Sequence, residues 1–163
     1  MEPKVILGLS MNTRMLGLAI ISGNHLMDYH IQLRKETWTL RKKELIVASL
    51  VPWCESYSIK NIALSTSYEK QTSTQTKELF ESLKSHCSKK KINIFSYHAK
   101  TLHQFCEEAK TKAKKEIMKM LALKYPELSY YYQKEMRNKN KYYIKLFEAV
   151  GVATIHSQRI QGK

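Results

Sequence analysis

The sequence opens with two short, almost wholly apolar runs, Val5–Leu9 and Met15–Ile21, separated by the polar stretch Ser10-Met-Asn-Thr-Arg14. Runs of this length, with Gly8 inside the first, predict strands buried on both faces and joined as a hairpin at the middle of a sheet. Gly23-Asn24 makes a tight turn into His25–Leu33. There Leu26, Asp28, His30 and Gln32 alternate with Met27, Tyr29, Ile31 and Leu33, which predicts a half-exposed edge strand. Thr39 is placed to cap a helix from Leu40, with Leu45, Ile46, Ser49 and Leu50 along one side and Arg41-Lys-Lys43 in water. Pro52 kinks or ends that helix. Asn61–Ser65 is a short buried strand, and its position after a helix predicts a parallel crossover.

From Thr66 to Thr76 the chain is rich in Ser, Thr and Gln, reading as a loop that leads to a helix N-terminus at Ser73 or Thr74. The helix runs through Glu78, Leu79, Phe80, Leu83 and Cys87 and ends in Ser88-Lys-Lys-Lys91, and Ile92–Phe95 forms another strand. Helix follows from Ala99 through Leu102, Phe105 and Cys106. A second helix opens at Lys110–Lys115, with Ile117, Met120, Leu121 and Leu123 inward, and stops at Tyr125-Pro126. Leu128–Lys141 has no clear period and reads as an irregular loop. The last helix, Tyr142–His156, packs through Ile144, Phe147, Ala149, Val150 and Ala153, with Gly151 as a close contact. The order predicts one α/β domain spanning residues 1–163, with three antiparallel strands followed by parallel crossovers in a mixed five-stranded sheet flanked by helices.

Composition changes the picture mainly through charge. Hydrophobic content of 43% and charged content of 26% are ordinary for a globular chain, and no segment approaches the roughly 20 apolar residues of a membrane span. Met-Glu-Pro-Lys at the start has no signal-peptide pattern, and Cys54, Cys87 and Cys106 have neither CxxC nor zinc spacing. Reduced thiols in a cytoplasmic or other reducing compartment, without secretion, are the expectation. Twenty-eight basic residues against 14 acidic give a net charge of +14, which favours a polyanionic partner. Coding bias toward lysine would raise the charge in the same way, but a single aspartate, Asp28, is a more selective depletion than bias produces.

The strand and helix order is that of a ribonuclease H-like domain, and the motifs make the resemblance narrower. Leu7-Gly-Leu-Ser-Met-Asn-Thr-Arg14, followed by Gly17, resembles the first strand motif of RuvC-type Holliday-junction resolvases. Ile62-Ala-Leu-Ser65 resembles their second motif. Lys114–Leu121 with Tyr125-Pro-Glu-Leu128 is similar to the helix before their last loop, and Leu146–His156 to their final helix. In that family the matching positions carry carboxylates that hold divalent metal. Here they are Ser10, Ser65, Lys145 and Glu148, so the resemblance implies a site in which only one acid remains. Mg²⁺ prefers hard anionic oxygens in octahedral array, and two hydroxyls with an ammonium do not supply them. Asp28, Glu69 and Glu108 are poorly placed substitutes. Ser10 and Ser65 lack a patterned base, and His98 with His103 form no recognisable acid–base pair.

What remains is basic surface. Arg14 lies in the first turn, Lys110, Lys112, Lys114, Lys115 and Lys119 gather at one helix start, and Lys134, Arg137, Lys139 and Lys141 crowd the late loop. Tyr130, Tyr131, Tyr132, Tyr142 and Tyr143 interleave with the late group. Lysines neutralise phosphates with counterion release, and tyrosines such as Tyr131 and Tyr132 can stack on unpaired bases. The alternative is that the tyrosines are partly core or a dimer seam and the lysines a solvated face. The expectation is a nuclease-inactive nucleic-acid-binding protein that uses no cofactor and recognises branched or structured DNA in preference to RNA. The resemblance adds a homodimer, and a larger protein complex is a further expected partner. Two alternatives stand beside it: a divergent Mg-dependent endonuclease built on Glu148, and a structural or regulatory subunit that binds protein through the old active-site face.

Overall fold

The computed structural model describes residues 4–67, 69–98, 100–102, 114–138 and 142–161. The sheet consists of β1 (Val5–Met11), β2 (Met15–Ser22), β3 (His25–Leu33), β4 (Asn61–Thr66) and β5 (Asn93–His98) in the spatial order β3-β2-β1-β4-β5. β1 pairs antiparallel with β2 and parallel with β4, β2 pairs antiparallel with β3, and β4 pairs parallel with β5. This is the expected ribonuclease H-like mixed sheet, with β1 at its centre. Between β2 and β3, Gly23 adopts φ 62°, the conformation a two-residue hairpin turn requires.

Alternation along each strand assigns two cores. Leu7, Leu9, Leu16, Leu18, Ile20, Ile62 and Leu64 face α1 (Leu40–Ser49) and α3 (Thr74–Lys89). On the opposite face Ile6, Ala19, Ile21, Ala63 and Tyr97 meet α4 (Lys114–Lys124) and α6 (Ile144–Ile160). The short α2 (Val51–Ser56) and α5 (Ser129–Arg137) complete the layers. α6 is buried continuously from Leu146 to Ser157, as a helix sandwiched between a sheet and another helix must be. It lies almost directly on the strands. A Cβ on Gly8 would collide with the Ala149 carbonyl and come within 2.8 Å of Ala153 Cβ, and one on Gly17 would meet the Lys145 carbonyl. Gly151 gives the same close approach on the helix side, where a Cβ would stand 2.5 Å from Leu102 Cδ2.

Several sequence expectations are corrected. Lys42 is not in water: it is 5% exposed, and its Nζ donates to the Arg34 and Glu36 carbonyls at 3.3 and 2.5 Å. Val47 takes the inward place expected for Leu45, because the buried row is Lys42, Ile46, Val47 and Leu50, set by the i, i+4 spacing. In β3 a bulge opposite Ile20 and Ile21 leaves Met27 unpaired and shifts the alternation, so that Leu26 shares a face with Tyr29 and Ile31. On α4 the inward set is Ile117, Met118, Leu121 and Ala122, while Met120 and Leu123 are exposed. Pro52 falls in the first turn of α2, where its missing N–H costs nothing.

The largest correction concerns the late loop: residues 129–137 are helical, not irregular. Their inward stripe, Leu128, Tyr131, Tyr132, Glu135 and Met136, does have helical spacing. A glutamate at one inward position disguised it. The Glu135 carboxylate, 0% exposed, accepts from the Tyr142 and Tyr143 backbone N–H groups at 2.8 Å each, and so caps α6 from outside. A buried charge of this kind is stable only when its lone pairs are used in this way.

Candidate functional site

The site lies at the end of the sheet where β1 and β4 finish. Gly8 and Ser10 point to the α6 face of β1, and Gly17 sits opposite Ser10 on β2. Leu9 pairs with Leu64, so Ser65, one step further, falls beside Ser10 on the same face. Because Gly17 has no side chain, the first turn of α6 settles onto it and brings Lys145 and Glu148 over the strand ends. The four residues matched to the resolvase motifs are thus brought to one place.

Their chemistry is not that of a metal pair. Ser10 Oγ donates to Glu148 Oε1 at 3.0 Å, and Lys145 Nζ stands 3.1 Å from the same oxygen. Ser10 is 1% exposed, Ser65 6% and Glu148 8%, so the carboxylate is desolvated and its charge is met by the lysine. A divalent ion needs several anionic oxygens that are not already occupied. Here one carboxylate is taken by an ammonium that itself occupies cation space. Among the described residues, no group of three or more His, Cys, Asp or Glu side chains could hold a metal ion.

A cleft of about 300 Å³ opens above these residues. Ser10, Ser65 and Lys145 form its floor, Asn12 and Arg14 of the β1–β2 turn form one wall, and Ser73 and Thr76 at the start of α3 form another. The turn is stiffened by Asn12 Oδ1, which accepts from the Arg14 and Met15 N–H groups at 2.9 and 2.8 Å. The contribution of α3 was hidden in the polar stretch Thr66–Thr76. Its Ser and Thr content was visible, but only the crossover places it opposite β1.

The expected nucleic-acid contacts are distributed unevenly. Arg14 lines the cleft. Lys134 and Arg137 are exposed on α5, whose last turn is tied to the start of α6 by Glu135. Lys114, Lys115 and Lys119 are exposed on α4, but Tyr125 at the end of that helix bonds Thr154, about 13 Å along α6 from Lys145. Lys110, Lys112, Lys139 and Lys141 lie outside the described residues, as do Phe105, Cys106 and His103. Tyr131 and Tyr132 are half-buried and pack on the α6-side core. Tyr131 is the hub of an edge-to-face cluster, with ring centroids 5.5 Å from Tyr29, 5.3 Å from Tyr130 and 5.2 Å from Tyr143. Tyr130, 57% exposed, carries Lys134 Nζ 4.9 Å above its ring, and the hydrogen bond between them raises the lysine pKa. Cys54 and Cys87 are not reactive thiols: burial raises both to about 11.

The architecture is a ribonuclease H-like fold, in the form seen in RuvC-type resolvases. Thermus thermophilus RuvC, solved in complex with a Holliday junction substrate, superposes with a TM-score of 0.75 at 12% identity, covering 98% of this chain and 96% of that one. The yeast mitochondrial Holliday junction resolvase gives 0.64 at 14% identity, covering 95% and 77%. The fowlpox virus resolvase, also solved with junction DNA, gives 0.60 at 10%, covering 96% and 98%. In sequence, the chain matches no family profile and no curated protein.

Proposed function

We propose that this protein is a nuclease-inactive, RuvC-like nucleic-acid-binding protein that recognises branched or structured DNA by shape and charge. The observation that carries the reading is the Ser10–Glu148–Lys145 arrangement, in which a lysine neutralises the one remaining acid of a resolvase-like site. Support comes from the fold it shares with proteins solved on Holliday junctions, from the net charge of +14, and from the exposed Lys134 and Arg137 beside the cleft end of α6. In this reading the domain needs no metal, prefers DNA to RNA, and works as a homodimer or within a larger assembly.

A mobility-shift assay with a four-way DNA junction, run in EDTA and again with Mg²⁺ or Mn²⁺, tests it. The expected result is a shift of equal strength in both, weakening steeply with salt, and no cut strands. Metal-dependent cutting that is lost in Glu148→Gln would establish the divergent-endonuclease reading instead. No shift at any salt below about 100 mM, where the screening length is about 10 Å, would favour the protein-binding subunit.

A further inference from the structure

We infer that the cleft is a metal-independent phosphate subsite, in which the Lys145 ammonium does the electrostatic work of the missing metal and receives a phosphodiester of the bound nucleic acid. The inference rests on the nucleic-acid-binding reading and makes it specific to one place.

Four observations support it. First, among the described residues the charged side chains lining the cleft are Arg14 and Lys145, and Glu148 is not part of its lining. Second, Lys145 Nζ has three donors and gives one to Glu148 Oε1, so donors remain for the cleft, toward which the side chain is 21% exposed. Glu148 therefore acts as a positioning residue. It fixes the ammonium over the strand ends instead of letting it swing into solvent. Third, Ser65 is 6% exposed, lines the cleft, and its hydroxyl has no hydrogen-bond partner among the described residues. Its oxygen is not shut away from solvent, so it is open to a ligand in the cleft. Fourth, the 16-residue α3 begins at the cleft wall with Ser73 as its cap and no acidic side chain in its first turn. Its positive end is therefore open to an anion. One fixed ammonium, a guanidinium and a helix N-terminus, with the Ser65 hydroxyl between them, form a set dominated by positive donors. That set fits a phosphodiester and not a divalent cation.

The test uses the full chain and a four-way junction in EDTA, with neutral methylphosphonate linkages replacing the phosphodiesters at the strand-exchange point. Wild-type protein is expected to bind the neutralised junction about tenfold more weakly than the ordinary one. Lys145→Gln should lose about tenfold on the ordinary junction, with a salt slope shallower by about one, and should barely distinguish the two junctions. Ser65→Asp, which puts an acid into the cleft beside Lys145 while keeping both Lys145 and Glu148, provides the same readout if Lys145→Gln folds poorly. Glu148→Gln, which releases the ammonium from its anchor but keeps its charge, should weaken binding of the ordinary junction by less than Lys145→Gln does. Lys43→Gln, in the separate groove between α1 and α3, should bind as wild type does. Unchanged affinity in both Lys145→Gln and Ser65→Asp would overturn the subsite while leaving junction binding intact. Wild-type binding that requires Mg²⁺ would overturn it as well. Failure of the wild type to bind any junction would instead overturn the reading beneath it.

Discussion

If Lys145 has replaced a metal as the counter-charge of Glu148, the two residues should be strongly coupled in stability. At 3.1 Å their attraction is about 1 kcal/mol in bulk water and about 5 kcal/mol at an effective dielectric of about 20. With side chains 21% and 11% exposed, the pair falls between those limits. Lys145→Met leaves a desolvated carboxylate supported only by Ser10, and should cost about 3 kcal/mol, toward the lower end for a broken buried pair. Glu148→Gln keeps an acceptor for Ser10 and leaves an ammonium that can hydrate through the cleft, so it should cost about 1 kcal/mol. The double variant leaves neither charge unpaired and should cost only about 1–2 kcal/mol, a coupling of roughly 2–3 kcal/mol. Urea unfolding followed by circular dichroism at neutral pH measures all three. In thermal melts the single Lys145→Met loss corresponds to about 6–12 °C. A coupling under about 0.5 kcal/mol would refute the argument, because the lysine would then be a solvated neighbour and Glu148 would be neutralised some other way.

Two further outcomes follow from the packing of α6. Gly17→Ala should destabilise by about 3 kcal/mol or more, since the new Cβ would stand 2.6 Å from the Leu146 backbone nitrogen and neither backbone can yield; an unchanged urea midpoint would contradict the close approach. His156 is 3% exposed, stacks on Phe95 at a ring distance of 4.3 Å and lies 2.6 Å by Nδ1 from Tyr97 Oη. Burial chiefly, with the charges of Arg159 and Lys4, lowers its pKa below the ordinary 6.5. The unfolded chain then takes up a proton near pH 6.5 that the folded chain refuses. Stability should therefore fall as pH drops through 6.5 and level off below the folded pKa. His156→Gln should remove that part of the slope in urea titrations across pH 7.5 to 5, and a slope identical to wild type would show that His156 is not its source.

The relation between chain and fold is clearest where the two diverged. β1 and β2 were legible because an apolar run of five to seven residues broken by glycine and bounded by polar residues has few alternatives. Thr39 and Ser73 were legible as caps because a short hydroxyl before an amphipathic run has one local use, and both accept from the N–H three residues on. α5 was not legible, because its buried Glu135 answers to Tyr142 and Tyr143, partners that only the return of the chain supplies. Lys42 misled for the same reason: two carbonyls of the preceding loop make its burial tolerable. In each case a charge was read by its usual preference for water, and a distant backbone group overrode that preference.

The site divides along the same line. The sequence by itself determined that Ser10, Ser65, Lys145 and Glu148 stand at these four positions, because residue type is a local fact. It also determined that one acid stands among the four. Only the tertiary structure decided what that acid does. Glu148 could have been a lone ligand, a surface residue or a structural anion. The glycines at 8 and 17 let α6 descend onto the sheet until its carboxylate meets both Ser10 and Lys145. The cleft, with α3 as its far wall, is likewise a product of the crossover, since its walls come from segments about sixty residues apart in the chain. Local pattern fixes which groups are present, while burial and long-range pairing fix their charge partners and so their chemistry.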